Sequence, residues 1–161
     1  MVIDLKGAEI GAITDGELDI SLEDNILSDR NANIVVAVRF KGWYTLADEN
    51  TFAISGNLKV KVNGICDSCG DDYTRVYELP YKATFSMTPE LDEYKFNGVS
   101  ADIDKSVTDA ILLELPTRLL CKDNCKGVCT VCGQNLNKGS CNCNKDGGGE
   151  SPFAVLKDIK F

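Results

Sequence analysis

The chain has 161 residues, of which 43% are hydrophobic and 26% charged, so its composition is that of a globular protein rather than of a disordered one. Eight cysteines and no histidine exclude catalysis by Ser-His-Asp or Cys-His groups within this sequence. Residues 1–117 hold 10 basic and 21 acidic side chains, whereas residues 118–161 hold 7 and 4. This asymmetry is compatible with a soluble acidic domain that carries a basic tail, or with a C-terminal part that faces nucleic acid.

Neither a membrane span nor a leader is expected. The longest aliphatic run, residues 34–38, is far shorter than the roughly 20 residues of a membrane helix. The first six residues show no basic region followed by an apolar stretch. We therefore expect a cytoplasmic protein without a membrane partner. In that compartment, eight cysteines indicate metal ligands or redox groups rather than a disulfide framework.

The first half of the chain shows the pattern of antiparallel strands. Alternating or β-branched and aromatic residues predict strands at 18–22, 34–44, 51–62 and 74–87. In the third of these, one face is apolar and the other carries Lys59 and Lys61. Gly56 then predicts a bulge or a close approach of backbones, and Pro80 places the fourth strand at an edge or bends it. The pair Cys66 and Cys69 falls in the turn between the third and fourth strands.

The second half of the chain begins with a helix. Apolar residues at helical spacing predict a helix from Asp102 to Leu115, which Pro116 ends. A Cys-rich segment with few apolar side chains follows, then a Gly-rich linker at 147–150 and a short amphipathic helix at 151–161.

These elements predict an α+β protein, a mainly antiparallel β-sheet or partly open barrel with one packed helix and a C-terminal Cys-rich zinc knuckle. We expect three parts. Residues 1–117 form the β-domain with the helix, residues 118–146 the knuckle, and residues 147–161 the linker and the terminal helix.

The spacing of the later cysteines is typical of a zinc site. Cys129 and Cys132 are two residues apart and precede a glycine, so both sulfurs can face one metal ion. Cys141 and Cys143 supply a second pair after a turn. We therefore predict a four-thiolate zinc site at Cys129, Cys132, Cys141 and Cys143.

The spacing of the other four cysteines is compatible with several interpretations. They form a second zinc site, made of Cys66, Cys69, Cys121 and Cys125, if the hairpin turn meets the chain after the helix. Alternatively, Cys66 and Cys69 are free thiols or plain turn residues, or Cys121 or Cys125 replaces a ligand of a single site. One or two zinc ions are therefore expected. A thiol-redox enzyme is disfavoured, because the nearby acids raise a thiol pKa.

Four segments together resemble the YceD family of bacterial and plastid proteins. They are Ile65-Cys66-Asp67-Ser68-Cys69, the helix 102–115 with Pro116, residues 125–137 with the pattern C-x2-C-G-x-N-L-N, and Pro152-Phe153-Ala154-Val155-Leu156. The resemblance implies a role in the accumulation of 23S ribosomal RNA, hence in ribosome assembly, and no enzymatic activity.

The expected partner is large-subunit rRNA, or a ribosomal or assembly protein, and no small-molecule substrate is expected. A knuckle that carries lysines can contact RNA phosphates, and an apolar terminal helix can dock in a groove. The candidate contact residues are Arg118, Lys122, Lys126, Lys138, Lys145, Phe153 and Leu156. Two alternatives stay open: a zinc-stabilised protein-interaction adaptor without RNA contact, and a thiol-redox sensor.

Overall fold

A computed structural model describes residues 1–22, 26–35 and 37–143. One helix, α1 (Asp104–Glu114), accompanies eight strands, with a short 3-10 helix at Ser28–Arg30. The strands are β1 (Val2–Asp4), β2 (Ile13–Ile20), β3 (Ala32–Ile34), β4 (Val38–Asp48), β5 (Thr51–Ile65), β6 (Asp72–Ser86), β7 (Tyr94–Lys95) and β8 (Ser100–Asp102). The predicted linker at 147–150 and the helix at 151–161 lie outside the described residues.

The main sheet has the order β2-β4-β5-β6-β7, and only its β6–β7 pair is parallel. Strand β3 pairs with the end of β5 that β4 leaves free, and β1 pairs with β8 in a separate two-stranded ribbon. In the described part of the chain the edge strands β2 and β7 do not pair with each other, so the sheet does not close into a barrel. The predicted class, a mostly antiparallel sheet with one packed helix, is confirmed.

Strands β5 and β6 form a hairpin of 15 residues on each side, paired in register from Thr51 opposite Ser86 to Ile65 opposite Asp72. The predicted apolar face of β5 is fully buried, at Phe52, Ile54, Leu58, Val60 and Val62. Each strand extends beyond its predicted bounds toward the turn, because backbone pairing continues where the alternation of side chains stops. Pro80 is exposed on β6, which has a second neighbour only at Phe85 and Ser86, so the predicted edge position is correct.

Gly42 and Gly56 face each other across β4 and β5, where the two backbones approach closely. A Cβ added at either glycine would lie 2.6 Å from the Cα of the other, and 2.8 Å from the ring of Phe40. The pairing continues in register through these glycines, so Gly56 marks a close approach and not a bulge. The missing side chains make room for the Phe40 ring, which packs edge-on against Tyr81.

Helix α1 packs on β6 through the stripe that the sequence indicates. Its buried positions Val107 and Ile111 lie between Ile103 before the helix and Leu115 after it. The hydroxyl of Ser106 is hydrogen-bonded to that of Tyr81 on β6, at 2.6 Å. In the described residues, no helix is long and apolar enough to cross a membrane. The helix ends where Leu115 turns extended before Pro116, and the chain then runs to the β5–β6 turn.

Candidate metal centre

The turn between β5 and β6 holds Cys66 and Cys69 at the end of the long hairpin. The backbone N–H of Cys66 donates to the carbonyl of Asp71, and that of Gly70 donates to the carbonyl of Cys66, both at 2.9 Å. These bonds close the turn on itself. Both cysteines are buried, at 2% and 5% exposure, although they lie at the tip of a hairpin. Another part of the chain must therefore cover them.

The segment that follows α1 provides this cover. Leu119, which is 1% exposed, donates its N–H to the carboxylate of Asp67 at 2.5 Å. Its carbonyl accepts the N–H of Asp67 at 3.0 Å. Because Asp67 lies between Cys66 and Cys69, this two-way pairing fixes the chain after the helix against the turn. Two residues later, Cys121 reaches the thiols of the turn.

Cys66, Cys69, Cys121 and Cys125 form the first cluster, in which all four sulfurs lie within 4.8 Å of one another. The Sγ–Sγ distance is 3.8 Å between Cys66 and Cys125, and also between Cys69 and Cys121. A disulfide needs about 2.05 Å, so these are separate thiols. A tetrahedral site with metal–sulfur bonds of about 2.3 Å places its sulfurs about 3.8 Å apart. The first cluster therefore could hold a metal ion in a four-thiolate site.

Hydrogen bonds favour the thiolate form at two of these cysteines. The side-chain amide of Asn137 donates to the Sγ of Cys125 at 3.3 Å. Together with the backbone N–H of Gly127, it lowers the pKa of Cys125 to about 6. At Cys66, burial opposes ionisation, yet backbone N–H groups, first that of Cys121, bring the pKa below its usual value. Burial and the neighbouring sulfurs instead raise the pKa of Cys121 to about 12.

The acids near the turn do not act as the sequence suggests. Their charge alone predicts a raised pKa at both Cys66 and Cys69, and at Cys66 this prediction is wrong in direction. At Cys69 the backbone N–H of Asp71 lowers the pKa, but burial and the neighbouring thiols, and not the acids, raise it above its usual value. The carboxylate of Asp67 accepts the N–H of Leu119, and that of Asp71 pairs with Lys138. Both carboxylates are thus occupied by hydrogen-bond donors, while several N–H groups point at the sulfurs.

The second cluster consists of Cys129, Cys132, Cys141 and Cys143, and its four sulfurs also lie within 4.8 Å of one another. A small hairpin forms its first half, with the N–H of Cys129 donating to the carbonyl of Gln134 at 2.8 Å. This cluster is more open than the first, because Cys129 is buried at 6% exposure but Cys132 is exposed. Both clusters thus have a donor set that could hold a metal ion.

In the second cluster the pKa values of Cys129 and Cys143 are shifted in opposite directions. The backbone N–H groups of Cys132 and Val131 lower the pKa of Cys129 to about 6. The side chain of Cys132 raises the pKa of Cys143 to about 12. Because sulfurs so close together cannot all be charged in water, a cation between them is the natural way to ionise all four.

A polar segment connects the two clusters. The amide of Asn135 donates to the carbonyl of Cys69 at 3.3 Å and to the carboxylate of Asp71 at 2.8 Å. The ammonium of Lys138 lies 2.7 Å from the other oxygen of Asp71. The backbone N–H of Asn137 donates to the side-chain oxygen of Asn135 at 2.9 Å. The knuckle is thus held on the β5–β6 turn by side chains between Cys132 and Cys141.

The candidate contact residues fall into three groups. Arg118, Lys122 and Lys126 are exposed on the segment that covers the turn. Lys138 is also exposed but forms the ion pair with Asp71. The remaining three lie outside the described residues, at Lys145, Phe153 and Leu156.

Asn135 and Asn137 are not among the site residues predicted above, although both belong to the pattern C-x2-C-G-x-N-L-N. Their signal is the pattern Asn-x-Asn that follows Cys129-x2-Cys132-Gly133 after one intervening residue, Gln134. In local sequence such asparagines indicate a turn, because neither the distant cysteine turn that Asn135 contacts nor the bond of Asn137 to Cys125 can be identified there.

Comparison with known proteins identifies a family to which this chain is similar. The model of the family described as large ribosomal RNA subunit accumulation protein YceD matches residues 54–160, which include both clusters. A protein named large ribosomal RNA subunit accumulation protein YCED homolog 1, chloroplastic, from Arabidopsis thaliana is 42% identical over 45 residues, 28% of this chain and 14% of that protein. Its namesake from Zea mays is 49% identical over 43 residues, 26% of this chain and 15% of that protein.

A different kind of protein also matches in part. A protein named adenylate kinase from Allorhizobium ampelinum is 38% identical over 125 residues, 71% of this chain and 52% of that protein. This chain contains no G-x4-G-K-[ST] phosphate loop. It spans at most about half the length of these three relatives. No solved structure matches it significantly. Because the family model covers more than half of the chain and both cysteine clusters, the chain belongs to the YceD family.

Proposed function

We propose that this protein is a non-enzymatic ribosome-assembly factor that supports the synthesis, processing or accumulation of 23S rRNA in the cytoplasm. The observation that carries this proposal is the family match over residues 54–160, because the family is named for accumulation of the large ribosomal RNA. The match includes the β5–β6 hairpin except for the first three residues of β5, and it includes the helix and both cysteine clusters.

We propose further that each cluster holds one zinc ion. Four thiolates in a tetrahedral arrangement are the usual ligand set of a structural zinc site. The Sγ–Sγ distances of 3.8 Å in the first cluster support this assignment. A closed site of this kind leaves no coordination position for a water or a substrate. Zinc would therefore stabilise the fold rather than catalyse a reaction, which agrees with a non-enzymatic role.

The proposed contact surface is the module at residues 118–146, together with the terminal segment that carries Phe153 and Leu156. Arg118, Lys122 and Lys126 are its exposed cations without a carboxylate partner among the described residues. Each zinc site carries a formal charge of about −2, which offsets part of this positive charge. Binding to rRNA then depends on these three side chains meeting phosphates individually, and not on a strong overall field.

The adaptor without RNA contact is the second candidate, and the charge of the β-domain favours it. Residues 1–117 carry a net charge of −11, which repels RNA and attracts basic proteins. On the exposed face of β2, β4, β5 and β6, three ion pairs join acids to cations. They connect Asp19 to Arg39, Glu17 to Lys41 and Glu78 to Lys59. Three cations of this face are thus paired with acids, and among the described residues only Lys61 and Lys82 are left exposed without an ion pair on β5 and β6, so the face offers little positive charge to RNA.

Depletion and rescue in the native host test the proposal. We expect depletion to lower 23S rRNA relative to 16S rRNA and to reduce large subunits, with rescue by the wild-type chain. A variant with K122E and K126E should rescue poorly, because it reverses the charge of the contact surface. K82E with K105E makes the same charge change on exposed lysines of β6 and α1 and should rescue fully.

Binding of purified protein to 23S rRNA fragments separates the two candidates. Binding that weakens with salt and is lost in the K122E/K126E variant supports RNA contact. Loss of rescue without any RNA binding supports the protein adaptor. Normal 23S rRNA and subunit profiles after depletion would overturn the assembly role.

A further inference from the structure

The loop between Cys132 and Cys141 supplies hydrogen bonds to the first cluster although both of its ends belong to the second. Asn137 donates its amide N–H to the Sγ of Cys125 at 3.3 Å. Asn135 donates to the carbonyl of Cys69 at 3.3 Å. The two clusters therefore share this loop as a structural element.

The loop also forms hydrogen bonds within itself and with the segment at residues 125–127. The side-chain oxygen of Asn137 accepts the backbone N–H of Lys126 at 3.0 Å, next to Cys125. The backbone N–H of Leu136 donates to the carbonyl of Gly127 at 2.9 Å. Both asparagines are half-buried, and Asn137 also bonds to Asn135. These contacts give the amide of Asn137 a fixed direction only while the loop keeps this conformation.

We infer that the two clusters bind metal cooperatively, with Asn137 as the positioning residue that transmits the coupling. This inference rests on the proposal that both clusters hold zinc. A metal ion at the second cluster fixes both ends of the loop and so lowers the entropy cost of orienting the Asn137 amide. That amide then stabilises the Cys125 thiolate in the first cluster, as hydrogen bonds around metal ligands commonly do.

The coupling must act in both directions. A metal ion at the first cluster fixes Cys125 and the β5–β6 turn, to which Asn137 and Asn135 are bonded. This orders the loop and favours closure of the second cluster. By linkage, each metal ion raises the affinity of the other cluster by the same factor.

The test measures occupancy of each cluster separately in the full-length chain. Free Zn²⁺ is set with a chelator buffer, and alkylation of the thiols is read by peptide mass spectrometry. Protection of Cys66 and Cys69 reports the first cluster, and protection of Cys129 and Cys143 reports the second. Asn137→Ala retains all eight thiols and should weaken zinc binding at the first cluster by about tenfold. The matched control is Asn124→Ala, an exposed asparagine between Cys121 and Cys125 without a side-chain hydrogen bond among the described residues. It should change the affinity less than about twofold.

Disabling the second cluster with C132S and C141S should weaken the first cluster to a similar extent. Adding Asn137→Ala to that variant should then have little further effect, since the loop is no longer fixed. The inference is overturned if Asn137→Ala has no greater effect than Asn124→Ala. It is equally overturned if the full tenfold effect persists after the second cluster is disabled. A wild-type chain in which zinc protects neither cluster would instead refute the proposed zinc sites themselves.

Discussion

The first and second cysteine clusters have the same four-thiol composition but join different parts of the molecule. In the first, Cys66 and Cys69 come from the β5–β6 turn, and their partners follow more than fifty residues later. In the second, all four thiols lie between Cys129 and Cys143. The first cluster is continuous with the hydrophobic core, whereas Cys132 of the second is exposed. The first thus fastens the C-terminal module to the sheet, and the second shapes the module.

This difference has an energetic consequence. Closing a long loop costs more chain entropy than closing a short one, although the cost grows slowly with length. The first cluster offsets that cost with core contacts and with the pairing of Asp67 and Leu119. The thiols of the second cluster lie outside the core, and polar contacts hold the loop between them, so the order of this cluster depends more strongly on bound metal.

The largest expected effect is that of removing the first cluster. Replacing Cys66 and Cys69 by serine should lower the free energy of unfolding of the sheet by at least about 4 kcal/mol, because a metal site and core packing are lost together. The matched variant with Cys132 and Cys141 replaced should cost only about 1–2 kcal/mol. Urea unfolding, followed by the fluorescence of Trp43, the single tryptophan, measures the free energy of unfolding of both variants. Equal losses in the two variants would contradict the distinction between the clusters.

The second prediction concerns the order of metal release. A chelator should remove zinc from the second cluster at least about tenfold faster than from the first, because local opening exposes it at low cost. Cys132 should accordingly be the first thiol alkylated during release, and Cys66 among the last. Native mass spectrometry of the zinc count, combined with mapping of the alkylated peptides, follows both events. Simultaneous loss of the two metal ions at one rate would argue against clusters of unequal stability.

The third prediction concerns the contact between the C-terminal module and the β5–β6 turn. Gly127 has a φ of +68°, and an added Cβ would lie 2.9 Å from the Oγ of Ser68. Gly127→Ala should therefore destabilise the packing of the module on the β5–β6 turn by about 1 kcal/mol. It should also speed hydrogen exchange of the Leu136 amide about fivefold. Gly139→Ala is the control, since its Cβ would meet only the Gln134 side chain, at 3.5 Å. If both substitutions change exchange equally, the contact with Ser68 is unimportant.

The smallest expected effect is that of the ion pair between Lys138 and Asp71. Both side chains are largely accessible, at 70% and 37% exposure, so solvent and salt screen their attraction. Lys138→Ala should slightly speed exchange of the Leu136 amide in low salt, and the difference should vanish at high ionic strength. A large effect that is independent of salt would mean that Lys138 acts through packing rather than charge.

Local sequence was sufficient to predict β5, β6 and α1, which carry much of the core, but the single strand predicted at 34–44 is wrong, because this stretch is divided between β3 and β4. The parity of residues 52–62 predicted the buried face of β5, and the stripe from Ile103 to Leu115 predicted the face of α1. The class of the fold follows from the two-residue alternation in the strands and the helical spacing of apolar residues in α1. The small ribbon of β1 and β8 and the parallel contact of β7 could not be predicted, since their pairing joins short segments without a periodic signal.

The candidate site was predictable in its residues but not in its connections. Cysteine spacing predicts the set Cys129, Cys132, Cys141 and Cys143, but it leaves the other four cysteines open between a second site, free thiols and plain turn residues. The structure brings the sulfurs of each set within 4.8 Å of one another, while metal binding itself stays a prediction. The role of Asn135 depends on a contact between residues more than sixty positions apart, and that of Asn137 on the fold of the loop that brings it to Cys125. The basic residues were visible in the sequence, but the pairing of Lys138 with Asp71 was not.

The zinc content of the purified full-length chain tests the central claim most directly. Native mass spectrometry, combined with a count of free thiols, should find two zinc ions per chain and no reactive thiol in either cluster. A single zinc ion with Cys66 and Cys69 freely reactive would contradict the claim that the first cluster fastens the module to the sheet. A chain without zinc whose eight thiols all react would contradict both sites.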